Sequence, residues 1–432
     1  MGRKTFVLDT NVLILDSEAI LRFPNSDVVL PVTVIEELDN MKRLPNDTGK
    51  NARAAIRLLD SLRLTGEGSL HESVRVGDGA SVRIQLDIKT DYNSNFALSV
   101  NDNKIIMAAY LLQERGHETV FVSKDLAARI KAEAIGLEAE DYLQFKSSYE
   151  QLYRGVRYVD VEKGVIDQYL QNNTIDLGGD PWQPNEFAVM RSPEQSSAEG
   201  KYDAASKRVC PLIKTDNIWG LNPRNTEQRF ALDLLLRNDI KLVALVGPAG
   251  TGKTLLALAA GLKLAFDEGT FNKILISRPI VPMGRDIGYL PGTKEEKLYH
   301  WMQPIYDNLE HLCAGHGGDA RETMDWVMQS KKIELEAVTY IRGRSLPAMY
   351  FIIDEAQNLT PHEVKTIISR AGEGTKVILA GDPTQIDNPY LDKDYNAITH
   401  VVNAFKGLPI FGSVFMTKTE RSELAGHAID IL

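Results

Sequence analysis

Cysteine is scarce in this chain. Cys210 and Cys313 lie far apart, and neither opens a CxxC or a Cys/His cluster. Neither a zinc site nor a disulfide framework is indicated, and a reducing compartment is expected. Long apolar runs are also missing, since none reaches the roughly 20 residues that a membrane helix needs. The opening Met1-Gly2-Arg3-Lys4-Thr5-Phe6 lacks a signal-peptide core and has Phe6 where a myristoylation site wants Ser or Thr. These absences predict a cytoplasmic protein with no membrane partner. Basic charge is in deficit, with 49 Lys and Arg against 59 Asp and Glu and a net charge of −10. An evenly charged surface of that sign discourages non-specific nucleic-acid binding, although a local basic channel can coexist with acidic metal sites. The chain shows no internal repeat and no long low-complexity tract.

What is present is ordinary globular composition, 43% hydrophobic and 25% charged, in 432 residues. Single cores rarely grow beyond roughly 250 to 300 residues, so two domains are the default. Residues 1–147 alternate buried-strand runs (5–8, 27–30, 119–122) with helical spacing (51–64, 101–112), and 73–88 reads as a hairpin; an α/β domain with a parallel sheet follows. Residues 148–217 carry turn chemistry such as Gly178-Gly179-Asp180-Pro181 and read as a connector, with a few short strands near 156–160 and Phe187. The βα rhythm then returns over 218–432. Apolar strands at 242–246, 273–277, 349–353 and 376–380 each end in Gly, Pro or a carboxylate, where ligands of an open parallel sheet bind.

The first of these strands runs into Gly247-Pro248-Ala249-Gly250-Thr251-Gly252-Lys253-Thr254, and an apolar helix over 255–266 follows. Strand, GxxxxGK[ST] and helix are the context a phosphate-binding loop requires. Glycines let backbone N–H groups wrap a polyphosphate at a helix N-terminus; Lys253 is expected on the β- and γ-phosphates and Thr254 on Mg²⁺. The strand over 349–353 ends in Asp354 and Glu355. Two adjacent carboxylates beside polyphosphate need a cation, so Asp354 is expected to act through Mg²⁺ and Glu355 to deprotonate the attacking water. Gly381-Asp382-Pro383-Thr384-Gln385 makes Gln385 a γ-phosphate sensor candidate, against a plain Gly-Asp-Pro turn. Arg421 is an arginine-finger candidate, against a solvated surface charge. Gln228, in Asn225-Thr226-Glu227-Gln228, is a candidate for reading adenine, with helix capping by Thr226 as the plainer account.

Carboxylates also mark strand ends in the first domain: Asp9, Glu36 and Glu37, Asp102, and Asp125. Each alone is a helix cap or an exposed charge. Brought together at one end of a sheet, they would repel one another unless they held one or two Mg²⁺ or Mn²⁺ ions, an oxygen-ligand site suited to phosphodiester hydrolysis.

Five blocks in the C-terminal half resemble the PhoH family of ATPases, themselves similar to one RecA-like half of superfamily 1 helicases. They are Ser277-Arg278-Pro279, Gly288-Tyr289-Leu290-Pro291-Gly292, Tyr340-Ile341-Arg342-Gly343-Arg344, Ile352-Ile353-Asp354-Glu355-Ala356-Gln357-Asn358 and Gly381-Asp382-Pro383-Thr384-Gln385. The resemblance implies ATP hydrolysis coupled to RNA and a ring, a homo-hexamer, with a completing arginine supplied by a neighbour. Arg421 is the preferred donor, with Arg344 or Arg342 as alternatives. The first 145 or so residues are similar to PIN-domain ribonucleases through Val7-Leu8-Asp9-Thr10-Asn11-Val12-Leu13, Val34-Ile35-Glu36-Glu37-Leu38-Asp39, Asn101-Asp102-Asn103-Lys104-Ile105 and Val122-Ser123-Lys124-Asp125. That match implies a metal site of Asp9, Glu37 rather than Glu36, Asp102 and Asp125, with Asn11, Asn103 and Ser123 as its supports.

The order of the two parts resembles bacterial PIN-PhoH fusions. It implies an ATP-dependent RNA helicase carrying its own metal-dependent endoribonuclease. Two competing readings are a nucleotide-switched RNA-binding or assembly protein whose PIN-like domain does not cut, and a P-loop kinase. The complete acidic set argues against the first, and the Asp-Glu-Ala-Gln strand end against the second.

Overall fold

The computed structural model describes residues 3–44, 47–65, 69–76, 79–86, 99–142, 149–279, 294–317, 319–341, 345–388 and 391–420. The chain divides into two compact units, Met1–Ser147 and Ser148–Leu432.

The first unit runs β1 (Thr5–Leu8), α1 (Thr10–Leu15), β2 (Asp27–Pro31), α2 (Val32–Met41), α3 (Asp47–Thr65), β3 (Val74–Arg75), β4 (Ser81–Gln85), α4 (Asn101–Glu114), β5 (Thr119–Val122), α5 (Leu126–Ala134) and β6 (Glu138–Glu140). Its six strands lie in the order β3-β4-β2-β1-β5-β6. Every neighbouring pair is parallel except β3 with β4, the expected hairpin. Val7, Leu8, Val28, Val29 and Leu30 are buried on both faces of the central strands, and this is why those strands read as continuous apolar runs.

The second unit opens with residues 148–217. The stretch read as a connector forms a four-stranded sheet, β10-β9-β8-β7, from β7 (Val156–Asp160), β8 (Phe187–Arg191), β9 (Ser197–Asp203) and β10 (Arg208–Cys210), with α6 (Lys163–Asn172) before β8. Its strands are short and mostly half-exposed, so they carry little apolar signal. They hold together around Ile166, Tyr169, Ala188, Met190 and Val209. Phe187 stacks on Phe230 at 4.2 Å and 6°, within the core of the following domain.

That domain runs α7 (Thr226–Leu236), β11 (Leu242–Val246), α8 (Lys253–Leu262), β12 (Lys273–Arg278), α9 (Lys294–Gly315), α10 (Ala320–Gln329), β13 (Ile333–Ala337), α11 (Val338–Ile341), β14 (Met349–Ile353), α12 (Pro361–Ile368), β15 (Lys376–Gly381), α13 (Ala397–Phe405) and β16 (Phe411–Phe415). The sheet is parallel throughout, in the order β13-β12-β14-β15-β11-β16. β15 lies between β11 and β14, so three adjacent strands deliver the loop after Val246, the turn after Gly381 and Asp354-Glu355 to one edge. Local chemistry sets the helix starts: Thr360 and Glu363 close a capping box with Pro361 in the first turn of α12. No described helix is long and apolar enough to cross a membrane.

Candidate nucleotide and acidic sites

Gly247 leaves β11 at φ +152°, and a Cβ there would stand 2.0 Å from the Met416 carbonyl oxygen. Only glycine lets the loop pass this close to the segment after β16. Gly250 and Gly252 take left-handed backbone angles, and Gly252 caps α8. Thr251 closes the turn by donating to the Pro248 carbonyl at 3.0 Å. The Lys253 ammonium is held by the carbonyls of Gly247 at 2.6 Å and Pro248 at 2.9 Å.

In the first turn of α8, the Thr254 hydroxyl donates to Asp354 Oδ1 at 2.7 Å. Hydroxyl and carboxylate thus meet where a cation held jointly by loop and strand would sit, and the two oxygens are the hard donors that Mg²⁺ selects. Burial and then the adjacent Glu355 push the Asp354 carboxyl up, while the Thr254 hydrogen bond, Arg278 and Lys253 pull it down. These residues fit the cation that the loop implies.

Glu355 sits in the left-handed region at φ +52°, strained for a residue with a side chain. Its carboxylate is fixed from two sides. Arg278, at the end of β12, donates to Oε1 at 3.1 Å, and Gln357 Nε2 donates to Oε2 at 2.6 Å. Gln357 Nε2 also donates to the Gln385 carbonyl at 2.9 Å, and its Oε1 accepts from Asp382 N at 3.1 Å. A Cβ on Gly381 would lie 2.1 Å from that Oε1. One amide therefore ties the carboxylate to the turn that carries Gln385. Asn358 extends the tie by accepting from Asp387 N at 2.8 Å. Sequence reasoning assigned no role to Gln357 or Arg278, although both stand in the quoted blocks. Their partners come from other strands, and spacing does not show those.

A single pocket gathers Ala249, Gly250, Gly252, Lys253, Thr254, Asp354, Glu355, Gln385 and Gln228. The Gln228 amide is committed: its Oε1 accepts from Arg224 N at 2.8 Å and its Nε2 donates to the Thr251 carbonyl at 3.1 Å. Asn225, not Thr226, caps α7, accepting from Gln228 N at 2.9 Å. Arg421, Arg342, Arg344 and the block from Gly288 to Gly292 lie outside the described residues. Glu420, also on the pocket, donates its backbone N–H to the Gly250 carbonyl at 3.0 Å.

In the first unit Asp9 caps α1 at the end of β1 and is buried, 4% exposed. Its Oδ1 accepts from Thr10 N at 2.6 Å; its Oδ2 accepts from Asn11 Nδ2 at 2.7 Å and the Ser123 hydroxyl at 2.6 Å. Burial raises the carboxyl to about 6, the Ser123 and Thr10 hydrogen bonds oppose that rise, and the charges of Asp102 and Glu37 add to it. Glu37 accepts from Thr10 Oγ1 and, at 2.9 Å, from Asn101 Nδ2, whereas Glu36 is exposed. Asp9, Glu37 and Asp102 thus share one electrostatic field.

Asp125 is engaged differently. It is exposed, its carboxylate caps α5 through Ala127 N at 2.7 Å, and its backbone N–H donates at 3.0 Å to Ser123 Oγ, the group that donates to Asp9. Among the described residues no three acidic, His or Cys side chains are gathered closely enough to hold a metal ion. The donor chemistry and the mutual repulsion of the acids fit a divalent cation, but all four expected ligands are not drawn together around one point.

A P-loop on a parallel sheet, with an acid-rich α/β unit ahead of it, defines a protein of the hydrolase class that joins a nucleotide-binding domain to a nuclease-type fold. Residues 220–432 match the family described as PhoH-like protein, and residues 6–143 match a PIN domain. The chain is 46% identical to Protein PhoH2 of Bacillus subtilis strain 168, over 99% of this chain and 100% of that one. It is 36% identical to Protein PhoH2 of Mycolicibacterium smegmatis, over 99% of this chain and 97% of that one. The chain belongs to the PhoH2 family. Among solved structures it is similar to Pif1 helicase from Candida albicans at 16% identity, over 49% of this chain and 43% of that one, with a TM-score of 0.27.

Proposed function

We propose that this protein hydrolyses ATP at the pocket of residues 247–254 to remodel RNA, and that the PIN domain cleaves that RNA with a divalent metal. The observation that carries the reading is the Thr254–Asp354 hydrogen bond of 2.7 Å beside a Glu355 already fixed by Arg278 and Gln357. Lys253 and the N–H groups of residues 250–254 would bind the β- and γ-phosphates, and Thr254 with Asp354 would hold Mg²⁺. When bound there, the cation would neutralise charge developing on the β- and γ-phosphate oxygens. Glu355 takes the proton from the attacking water, and Gln357 keeps its carboxylate aimed while Gln385 senses the γ-phosphate. Gln228 orders the phosphate-binding loop through the Thr251 carbonyl.

In the PIN domain Asp9, Glu37, Asp102 and Asp125 would hold Mg²⁺ or Mn²⁺, which supplies a water activated at neutral pH. Asn11 and Ser123 keep Asp9 in place, and closing Asp125 onto the other three acids would complete the set. Because the chain carries one P-loop domain, a homo-hexameric ring would complete each site with an arginine from the neighbour, Arg421 first and Arg344 or Arg342 as alternatives.

The test is RNA cleavage and ATP turnover measured side by side for the parent, Asp9→Asn and Lys253→Ala. Asp9→Asn should remove cleavage and spare ATP turnover, and Lys253→Ala should stop ATP turnover. A parent that cuts no RNA with either metal defeats the nuclease half and leaves a nucleotide-switched RNA-binding protein.

A further inference from the structure

Helix α7 starts at the nucleotide pocket, and its first turn is tied to several distant parts of the chain. Gln228 bonds the P-loop through Thr251. Asn225 Nδ2 donates to Glu420 at 2.9 Å, and the Glu227 carboxylate accepts from Thr417 N and Thr417 Oγ1, both at 2.7 Å, and from Lys418 N at 3.1 Å. The remaining tie comes from the sheet of residues 156–210. Glu199, on β9, accepts at Oε1 from Thr226 Oγ1 at 2.8 Å and from Arg229 Nη2 at 2.7 Å. Arg229 Nη2 also donates to Thr226 Oγ1 at 3.0 Å.

Glu199 is 21% exposed but Arg229 is 46% exposed, so solvent screens their ion pair and the part-buried Thr226 hydrogen bond is the more sheltered contact. Behind it the Phe187–Phe230 stack is buried, and Asp233 on α7 accepts from Ile213 N at 2.8 Å. The sheet and the helix are therefore joined at both the charged and the apolar ends of their contact.

We propose that the β7–β10 sheet is a working part of the nucleotide site and that Glu199 is its positioning residue. By holding Thr226 and Arg229, Glu199 fixes the turn from which Gln228 orders the P-loop. It touches no ligand itself. Glu355, after β14, is held by Arg278 and Gln357, which Glu199 does not touch, so the loss of Glu199 weakens nucleotide capture and leaves the water-activating step alone. The inference rests on reading residues 247–254 as the ATP site.

The experiment uses the full chain with Mg²⁺ and measures binding of a fluorescent ADP analogue, steady-state ATP turnover and Tm. The variants are Glu199→Ala, Glu199→Gln, Thr226→Val and the Glu199→Ala/Thr226→Val pair. Glu199→Ala should raise Kd and KM about five- to tenfold with kcat within about twofold, the loss of hydrogen bonds to a charged group. Glu199→Gln keeps the accepting oxygen and should stay within about threefold of the parent, and the double variant should be little worse than Glu199→Ala because the two side chains share one interaction. A Glu199→Ala Kd within about twofold of the parent overturns the proposal. So does a joint fall in affinity, kcat and Tm. A parent that binds no ADP defeats the ATP-site reading itself, an outcome separate from the other two.

Discussion

Asp354 and Asp9 occupy matching places, each a buried carboxylate just beyond the end of a parallel strand flanked by strands on both sides. Their surroundings differ. Asp354 feels Arg278 and Lys253 and accepts from a hydroxyl, so part of its charge is answered within the protein. Among the described residues Asp9 accepts from neutral donors, Thr10 N, Asn11 and Ser123, while Asp102 and Glu37 add like charge. The nucleotide pocket is therefore assembled by its own ion pairs and hydrogen bonds, whereas in the acidic crevice neighbouring carboxylates add like charge to Asp9. Burying charge without an opposite partner is what makes the second arrangement costly.

The largest expected effect tests the assembled side. Lys253→Ala should lower ATP turnover on the order of 10²- to 10³-fold, the scale of losing a fixed positive donor on a transferring phosphoryl group. Circular dichroism and Tm should stay near those of the parent, and a collapse of both would mean the lysine holds the loop rather than the phosphate.

Asp9→Asn sharpens the contrast from the other side. RNA cleavage should fall about 10²-fold or more through lost metal affinity, with ATP turnover unchanged. The metal-free variant should also be more stable than the parent at pH 8, because a buried like charge has been removed. Equal or lower Tm would show that the acids are balanced without a cation.

The pH dependence follows from the same carboxyl. Folded Asp9 holds its proton up to about 6, above its ordinary value of 3.8. The folded state thus binds more protons than the unfolded chain in that window, and metal-free stability falls as pH rises through it, by on the order of 3 kcal/mol at most. If the acids hold a cation as proposed, its binding should run the opposite way, weak below about pH 6 and strong above it. Thermal melts from pH 4 to 8 with and without Mn²⁺ should show the metal's stabilising effect appear across pH 6; a pH-independent effect would place the ion elsewhere.

Gln357→Ala gives the smallest effect. With Glu355 released from the turn carrying Gln385, kcat should fall about tenfold through misplacement, with KM for ATP little changed. An unchanged kcat would leave Arg278 as the sole support that Glu355 needs.

The strands at 5–8, 119–122, 242–246 and 349–353 are buried on both faces, so their apolar runs carry their own signal. β13, with Ile333-Glu334-Leu335-Glu336-Ala337, is a half-exposed edge strand, and β16 contains Gly412 because Leu234 would lie 2.7 Å from a Cβ there. Neither announces itself. In residues 156–210 the strands near 156–160 and Phe187 were legible, but β9, β10 and their union in one sheet were not, because that sheet packs through contacts across tens of residues, such as Phe187 against Phe230 and Glu199 with Thr226 and Arg229 of α7.

By itself the sequence determined the two α/β units, the glycine-bearing loop around Lys253, and the acids that chemistry requires beside it and in the first unit. These follow from local rules: hydrophobic period, glycine backbone freedom, and the cost of adjacent carboxylates. Only the tertiary structure decided that Gln357 and Arg278 fix Glu355, that Gln228 orders the P-loop, and that Asp125 faces solvent while Asp9 is buried. It also turned a supposed connector into a sheet joined to the nucleotide pocket. Each of those outcomes depends on which distant side chains meet. A hydrogen bond requires separations near 3 Å, and sequence spacing does not encode them.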